Sequence, residues 1–164
     1  MKFSKNLATL SAIAICSAIF LVPTASILQA KPDKEDKAIA TRQGYMKLVV
    51  WEAGPLFGMA KGKMDYNADK AKVHAANLKA LAQYPVEGLF ISGTSNTDRP
   101  GKTRTLPAAW KDSAGFKKAF SDWRAAIDGL VAAAGNGKAA LGPAVGALGK
   151  SCGGCHKPFR AKAS

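Results

Sequence analysis

The apolar residues of this chain recur at steps of three, four and seven rather than in alternation, and this is the period of an amphipathic helix. In the first such segment the recurring positions are Ile39, Met46, Val49, Ala53, Leu56 and Ala60. Arg42 falls on the same face, one turn before Met46. Gly54-Pro55 is expected to kink or interrupt the helix, because proline lacks the amide hydrogen for one backbone bond. The pattern predicts that this first helix ends near Gly62.

A second, shorter helix is predicted from Ala68 to about Gln83, and Pro85 stops it. Its pattern has two neighbouring edges, which are Val73, Asn77, Ala80 and Tyr84 on one side and His74, Leu78 and Leu81 on the other. From there to Pro107 the chain is rich in Gly, Ser, Thr, Asn and Pro and has no sustained period. Such a segment is typical of a long connection between helices.

The third predicted helix has the clearest stripe, formed by Phe116, Phe120, Trp123, Ile127, Leu130 and Ala134. Gly135-Asn136-Gly137 closes it. The fourth starts near Lys138 and aligns Leu141, Val145, Leu148, Cys152, Cys155 and Phe159 on its buried face. No helix of this kind can bury its stripe alone. The chain is therefore predicted to be all-α, an antiparallel four-helix bundle with a long crossover between the second and third helices.

Residues 1–30 have the features of a secretory signal peptide. Lys2 and Lys5 precede an almost uncharged apolar run over residues 7–22, and small residues then lead to Ala30. Thr24-Ala25-Ser26 offers a competing cleavage position. A retained signal anchor is disfavoured because the run is shorter than the ~20 residues that a membrane-spanning helix needs. We therefore predict export, a mature domain over residues 31–164 and no membrane span after cleavage.

The chain is strongly basic, with 24 Lys and Arg against 11 Asp and Glu in 164 residues. Loss of Lys2 and Lys5 with the signal lowers the formal charge from +13 to +11. This charge favours acidic partners or anionic surfaces, although lysines that only maintain solubility explain it equally well. No basic run with interleaved aromatic residues indicates a nucleic-acid groove, so we expect no nucleic-acid partner.

The segment SCGGCHKPFR, residues 151–160, combines both cysteines of the mature chain with one of the two histidines. A redox dithiol normally starts a helix after a strand, whereas this pair ends a helix in an all-α pattern. A zinc site needs four ligands, but only Cys152, Cys155, His156 and His74 are soft ligands here. A simple disulfide leaves the adjacent histidine without a purpose.

The remaining interpretation of CGGCH uses every residue. C-x-x-C-H is the attachment signature of haem c, in which each thiol adds to a haem vinyl group and the histidine becomes an axial iron ligand. Two thioethers fix the macrocycle against one helical turn, and the next residue projects its imidazole at the iron. Gly153 and Gly154 leave space where the backbone passes close to the ring. We therefore predict one covalently bound haem c with its iron.

A C-terminal CxxCH on the last helix of a four-helix bundle resembles the class II c-type cytochromes, which are cytochrome c′ and its relatives of the cytochrome c556 type. The resemblance covers nearly the whole mature chain and includes TRQGYMK, AAWKDSAGFKKAF and CGGCHKPFR. It implies that Cys152 and Cys155 are the thioether sites and that His156 is the fifth iron ligand. Arg160 matches the basic residue that neighbours the proximal histidine in this family.

The same resemblance places Met46, four residues after Arg42, on the distal side of the haem. An aliphatic or aromatic residue there is typical of gas-binding cytochrome c′, whereas a methionine in the cytochrome c556 type is the sixth ligand. Met46 therefore favours His156/Met46 ligation, although buried methionine is often core filler. Met59 is expected to lie off the Met46 stripe, and Met64 follows the glycine break.

Other residues are expected to lie around the haem. Arg42 and Gln43 are expected to contact the haem propionates, since a positive group on an apolar face needs an anion. His74 is expected to be structural, and Leu89 and Phe90 to wall the distal pocket.

The sequence thus predicts a periplasmic, single-electron-carrying c-type cytochrome. Its partners would be acidic redox proteins, and the resemblance implies a homodimer through the first two helices. No residue set suggests hydrolytic or group-transfer catalysis, so we expect no enzyme. The alternative is a five-coordinate protein that binds small gases such as NO and CO at an open or displaced sixth position, where Met46 is displaced from the iron or never ligates it.

Overall fold

The computed structural model describes residues 33–163, so the predicted signal peptide lies outside the described residues. This part of the chain is all-α: it contains helices but no strand, and one isolated bridge pairs Thr105 with Arg160. The helices are α1 (Lys34–Ala60), α2 (Ala68–Gln83), the short α3 (Ala108–Lys111), α4 (Ser113–Ala133) and α5 (Lys138–Phe159).

The four long helices form the predicted bundle. Helix α1 packs against α2 and α5, and α4 packs against the same two helices, so the four close into a ring around one core. Short turns join α1 to α2 and α4 to α5, which makes these neighbours antiparallel. The long crossover between α2 and α4 is confirmed and contains a 3₁₀ turn, Val86–Leu89, and the short α3. No helix within residues 33–163 is long and apolar enough to cross a membrane.

The predicted stripes of α4 and α5 are confirmed. The apolar residues of α4 that point inward are Phe116, Phe120, Trp123, Ile127 and Leu130, and those of α5 are Leu141, Val145, Leu148 and Phe159. Cys152 and Cys155 continue the α5 stripe but are only partly buried, which leaves their thiols at the edge of the core. The core therefore ends where the CGGCH segment begins.

Two expectations about α1 were wrong. Pro55 does not interrupt the helix, which continues from Lys34 to Ala60. The helical carbonyl that Pro55 leaves without its usual amide partner belongs to Trp51, a residue that is 74% exposed. Met59 is not off the stripe but is buried in the core at 1% exposure, where its sulfur accepts a hydrogen bond from the Asn67 amide.

The predicted edges of α2 were also partly wrong. Val73 and Tyr84 are exposed, whereas the buried face consists of Ala71, Ala75, Leu78 and Ala82. The small alanines let α2 pack close to its neighbours. Because alanine is only weakly hydrophobic, the more hydrophobic Val73 dominated the sequence pattern and was assigned to the buried edge. Helix α2 still has its predicted bounds of Ala68–Gln83.

The ends of the helices are fixed by side-chain caps. The Asp33 carboxylate accepts a hydrogen bond from the Asp36 amide at the start of α1. Asp112 separates α3 from α4 and accepts from the Gly115 amide, so the single predicted third helix is divided at this residue. These caps fix where α1 and α4 begin, and both helices contribute to the cavity described next.

Candidate cofactor site

A cavity of about 1270 Å³ opens between α1, α4, α5 and the crossover. Drug-sized ligands occupy pockets of roughly 300–1,000 Å³, so this space suits a larger cofactor. All six predicted site residues line it, with Arg42, Gln43 and Met46 on α1 and Cys152, Cys155 and His156 on α5. The structure thus brings together residues from opposite ends of the chain.

The walls of the cavity are apolar and largely aromatic. The aromatic residues that line it are Phe90, Phe116, Phe120, Trp123 and Phe159, together with the exposed Trp51. Phe90 contacts Phe116 edge to face, with the ring centroids 4.9 Å apart, and its carbonyl accepts a hydrogen bond from the Trp110 indole. Phe90 therefore walls the cavity as predicted, whereas Leu89 packs behind it and does not line the space.

Both cysteines are free thiols, and their environment differs from that of a redox dithiol. Burial raises the pKa of the Cys155 thiol to about 11, with a further contribution from the neighbouring Cys152. Burial also raises the pKa of Cys152. Redox-active dithiols lower a thiol pKa instead. The two groups are thus neutral thiols that face an apolar cavity.

His156 projects into the same cavity from the last turns of α5. Burial lowers its pKa, and the positive charges of Arg160 and Arg104 lower it further. A neutral imidazole is the form that binds a metal. Within residues 33–163 no three His, Cys, Asp or Glu side chains are arranged to hold a metal ion by themselves, which argues against a zinc site.

The second histidine has a different place. His74 lines the edge of the cavity, but its Nδ1 lies 2.8 Å from Oε2 of Glu52. That hydrogen bond lowers the pKa of Glu52, which also accepts from the Asn77 amide at 3.1 Å. His74 therefore links α2 to α1, in agreement with its predicted structural role.

Among the methionines of residues 33–163, Met46 alone lines the cavity. It is partly buried and packs against the core. Met59 is buried in the core next to Asn67, and Met64 is 49% exposed. Met46 is accordingly the thioether sulfur that is available to a cofactor in this cavity.

Arg42 makes hydrogen bonds that the sequence did not predict. It is 3% exposed, and its terminal nitrogens donate to the crossover: to Thr94 Oγ1 at 2.8 Å, Thr94 O at 2.6 Å, Thr103 Oγ1 at 3.0 Å and Thr105 Oγ1 at 3.2 Å, with a longer bond to Leu89 O. These bonds use the terminal hydrogens that a direct propionate contact would need. A contact of Arg42 with the haem propionates therefore stays a prediction, and its charge faces the cavity whether or not its nitrogens reach them.

The charge of Arg42 has no counterion of its own. No carboxylate of residues 33–163 pairs with it, and burial lowers its pKa to about 10. The guanidinium also stacks 4.6 Å from the centroid of the Phe90 ring. Gln43 lines the cavity as well, but its side-chain amide donates to the Lys102 carbonyl at 2.8 Å. An anionic group in the cavity would compensate the buried guanidinium.

The sequence did not reveal the contribution of the crossover. Thr94, Thr103 and Thr105 form the polar cage of Arg42, and the basic residues Lys102 and Arg104 border the cavity. The sequence feature that pointed to these contacts was the abundance of Thr in an irregular segment. That abundance does not tell which side chain the threonines bind.

The donor set fits haem c. The apolar walls suit a macrocycle, the positive lining suits its propionates, and two neutral thiols stand four positions and one position before a neutral imidazole. The fold and the site therefore define a c-type haem protein.

Comparison with known proteins agrees with this class. A family model described as Cytochrome C' matches residues 37–160, and the chain belongs to this family. Its cofactor is therefore haem c, and the family is one of haem proteins rather than a class of enzyme.

Individual relatives span the same part of the chain. Cytochrome c′ of Cereibacter sphaeroides is 41% identical over 127 residues, which are 77% of this chain and 85% of that protein. A solved cytochrome c′ from Rhodobacter superposes with a TM-score of 0.77 at 41% identity, covering 80% of this chain and all of that one. A nitric oxide complex of a cytochrome c prime variant from Alcaligenes xylosoxidans has a TM-score of 0.69 at 28% identity, covering 80% and 100%.

Proposed function

We propose that the protein carries single electrons in the periplasm through haem c. In this proposal Cys152 and Cys155 form the thioethers, and His156 and Met46 are the axial ligands. The observation that carries it is that Met46 of α1 lines the same cavity as the CGGCH segment of α5. Bound haem c would supply an iron that alternates between its ferric and ferrous forms.

The residues of the cavity support this role in separate ways. Burial and two nearby arginines keep His156 neutral and so able to ligate. The aromatic walls exclude water, and the thioether of Met46 favours the ferrous state, which raises the reduction potential. Arg42 holds the crossover against α1 and so keeps Phe90 in the cavity wall.

Binding of small gases is a second candidate function. Membership of the cytochrome c′ family favours it, and so does a relative of known structure that was solved as a nitric oxide complex. In this case Met46 would leave the iron, or never reach it, and the aromatic walls would surround the gas. The two functions differ in whether an incoming ligand must compete with a sulfur.

Carbon monoxide distinguishes the two functions. The haem-loaded protein would be prepared as wild type, Met46→Ala and Met64→Ala, where Met64 is an exposed methionine outside the cavity and serves as the control. Electron transfer with methionine ligation predicts a reduced wild-type spectrum that carbon monoxide leaves unchanged. Met46→Ala should bind the gas, and Met64→Ala should behave as wild type. If wild type binds carbon monoxide as fast as Met46→Ala, the methionine ligand is refuted and the gas-binding function is favoured.

We further propose that residues 1–30 are removed on export and that the mature protein is a homodimer. Exposed apolar side chains on the first two helices support the dimer, and they include Leu48 at 54%, Val73 at 57% and Tyr84 at 48% exposure. Sequencing the N-terminus of the periplasmic protein tests the first proposal, and an uncleaved chain would contradict it. Sedimentation velocity tests the second, and a monomer at micromolar concentration would contradict it.

A further inference from the structure

The opening of the haem cavity is bordered by five exposed basic side chains from three parts of the chain. These residues, here called the basic rim, are Lys47 on α1, Lys102 and Arg104 in the crossover, and Arg160 and Lys162 after the last turn of α5. Buried Arg42 adds a sixth positive charge inside the cavity. None of the residues from 33–163 that line the cavity is Asp or Glu. The charged side chains that line the cavity within these residues are therefore all basic.

Carboxylates of the described residues neutralise little of this charge. Of the basic rim, only Lys102 has an ion pair within the described chain, with Asp36 at 3.6 Å. Other surface lysines are paired directly, as Lys118 is with Asp122 at 2.7 Å. Asp36 and the two propionates of a bound haem would together offset three of the six positive charges and leave three. An excess of this size at a cavity opening attracts an anionic partner.

We propose that the basic rim is the docking surface for an acidic patch on a partner electron-transfer protein. The inference rests on the proposed electron-transfer function and adds the site at which the partner binds. Charge at the opening would steer the partner to the cofactor edge and fix its orientation, which are the main effects of complementary charge at an interface. A bilayer could complement this charge but could not exchange an electron with the haem, so the proposed electron-transfer function favours an acidic protein as the occupant.

Small redox probes of opposite charge measure the field at the rim. The ferrous, haem-loaded protein would be oxidised in a stopped-flow instrument by anionic hexacyanoferrate(III) or by cationic tris(phenanthroline)cobalt(III). In each reaction one electron leaves the iron and reduces one probe complex, and no proton moves. The rim variant is Arg104→Glu with Lys162→Glu. The control, Lys63→Glu with Lys70→Glu, has the same net charge change at exposed residues outside the cavity.

The proposal predicts opposite responses to the two probes. At low ionic strength the rim variant should react about tenfold more slowly with hexacyanoferrate(III), and faster with the cobalt complex. The control should change less than twofold, and added salt should reduce the difference between the variants. Equal slowing of the rim and control variants would overturn the proposal, because the effect would then come from net charge alone.

Poly-L-glutamate serves as the probe for an acidic protein surface. It should slow the hexacyanoferrate(III) reaction of wild type and the control, and bind both in a direct titration, but should have little effect on the rim variant. Rim-dependent binding to phosphatidylglycerol vesicles without binding of poly-L-glutamate would overturn the protein partner and indicate a membrane surface instead. These measurements do not depend on whether Met46 ligates the iron. The docking proposal can therefore be refuted while the carbon monoxide test supports methionine ligation, and methionine ligation can be refuted while the docking proposal holds.

Discussion

Replacement of Arg42 by methionine tests whether this buried guanidinium holds the crossover in place. Its terminal nitrogens donate to two atoms of Thr94 and to the hydroxyls of Thr103 and Thr105. Hydrogen bonds from a charged group contribute a net ~1.5 kcal/mol each at the lower end, or about 6 kcal/mol for the four. Burial opposes this gain, because the fall in the Arg42 pKa from 12.5 to about 10 corresponds to about 3 kcal/mol.

The gain from the hydrogen bonds exceeds the cost of burial by about 3 kcal/mol, so Arg42→Met should lower the free energy of unfolding by about that amount. For a domain of this size the change corresponds to a fall of roughly 10 °C in Tm. Urea unfolding of the haem-loaded protein at pH 7 measures the change. Arg104→Met is the matched control, because Arg104 is exposed and donates no side-chain hydrogen bond within residues 33–163. It should cost less than about 0.5 kcal/mol. If the two variants lose the same stability, the cage of threonines does not hold the crossover as described.

Two further predictions concern residues next to the cavity and in the core. Glu52→Gln should lower the free energy of unfolding by about 0.5–1 kcal/mol at neutral pH. The hydrogen bond from His74 lowers the pKa of Glu52 below its ordinary 4.5, so the folded state favours the carboxylate. The stability difference between wild type and Glu52→Gln should therefore vanish as the pH falls through that lowered pKa. A pH-independent stability difference in urea titrations would contradict this reasoning. Met59→Ala should cost about 2–4 kcal/mol without changing the visible spectrum, since its side chain fills the core outside the cavity. Met64→Ala, at an exposed site, should leave stability unchanged, and an equal loss in both variants would refute the assignment of Met59 to the core.

The local pattern of the sequence predicted the helices well and the contacts between distant segments less well. The stripe from Phe116 to Leu130 was recognised because large apolar residues recur without a break. The buried face of α2 was not, because Ala71 and Ala75 contribute packing through their small size rather than through hydropathy. Gly54-Pro55 was expected to kink or interrupt α1, but the helix continues through Pro55 to Ala60.

In the candidate site, too, the sequence predicted local features better than contacts between distant segments. The CGGCH segment identified its own chemistry, because the three reactive groups are adjacent in sequence. Arg42 was placed correctly at the cavity, but its partners Thr94 and Thr103 lie in an irregular segment whose path depends on the whole fold. The sequence therefore indicated that a charge lay near the cofactor and could not tell which atoms would receive its hydrogen bonds.

The most direct test of the central claim is a measurement of the bond between the Met46 sulfur and the iron. Labelling the haem-loaded protein with selenomethionine allows X-ray absorption at the selenium edge to report any iron at bonding distance. The account predicts an iron scatterer in the labelled wild type and its loss in Met46→Leu, while Met59 and Met64 contribute only carbon neighbours. Absence of iron around selenium in the labelled wild type would contradict His156/Met46 ligation.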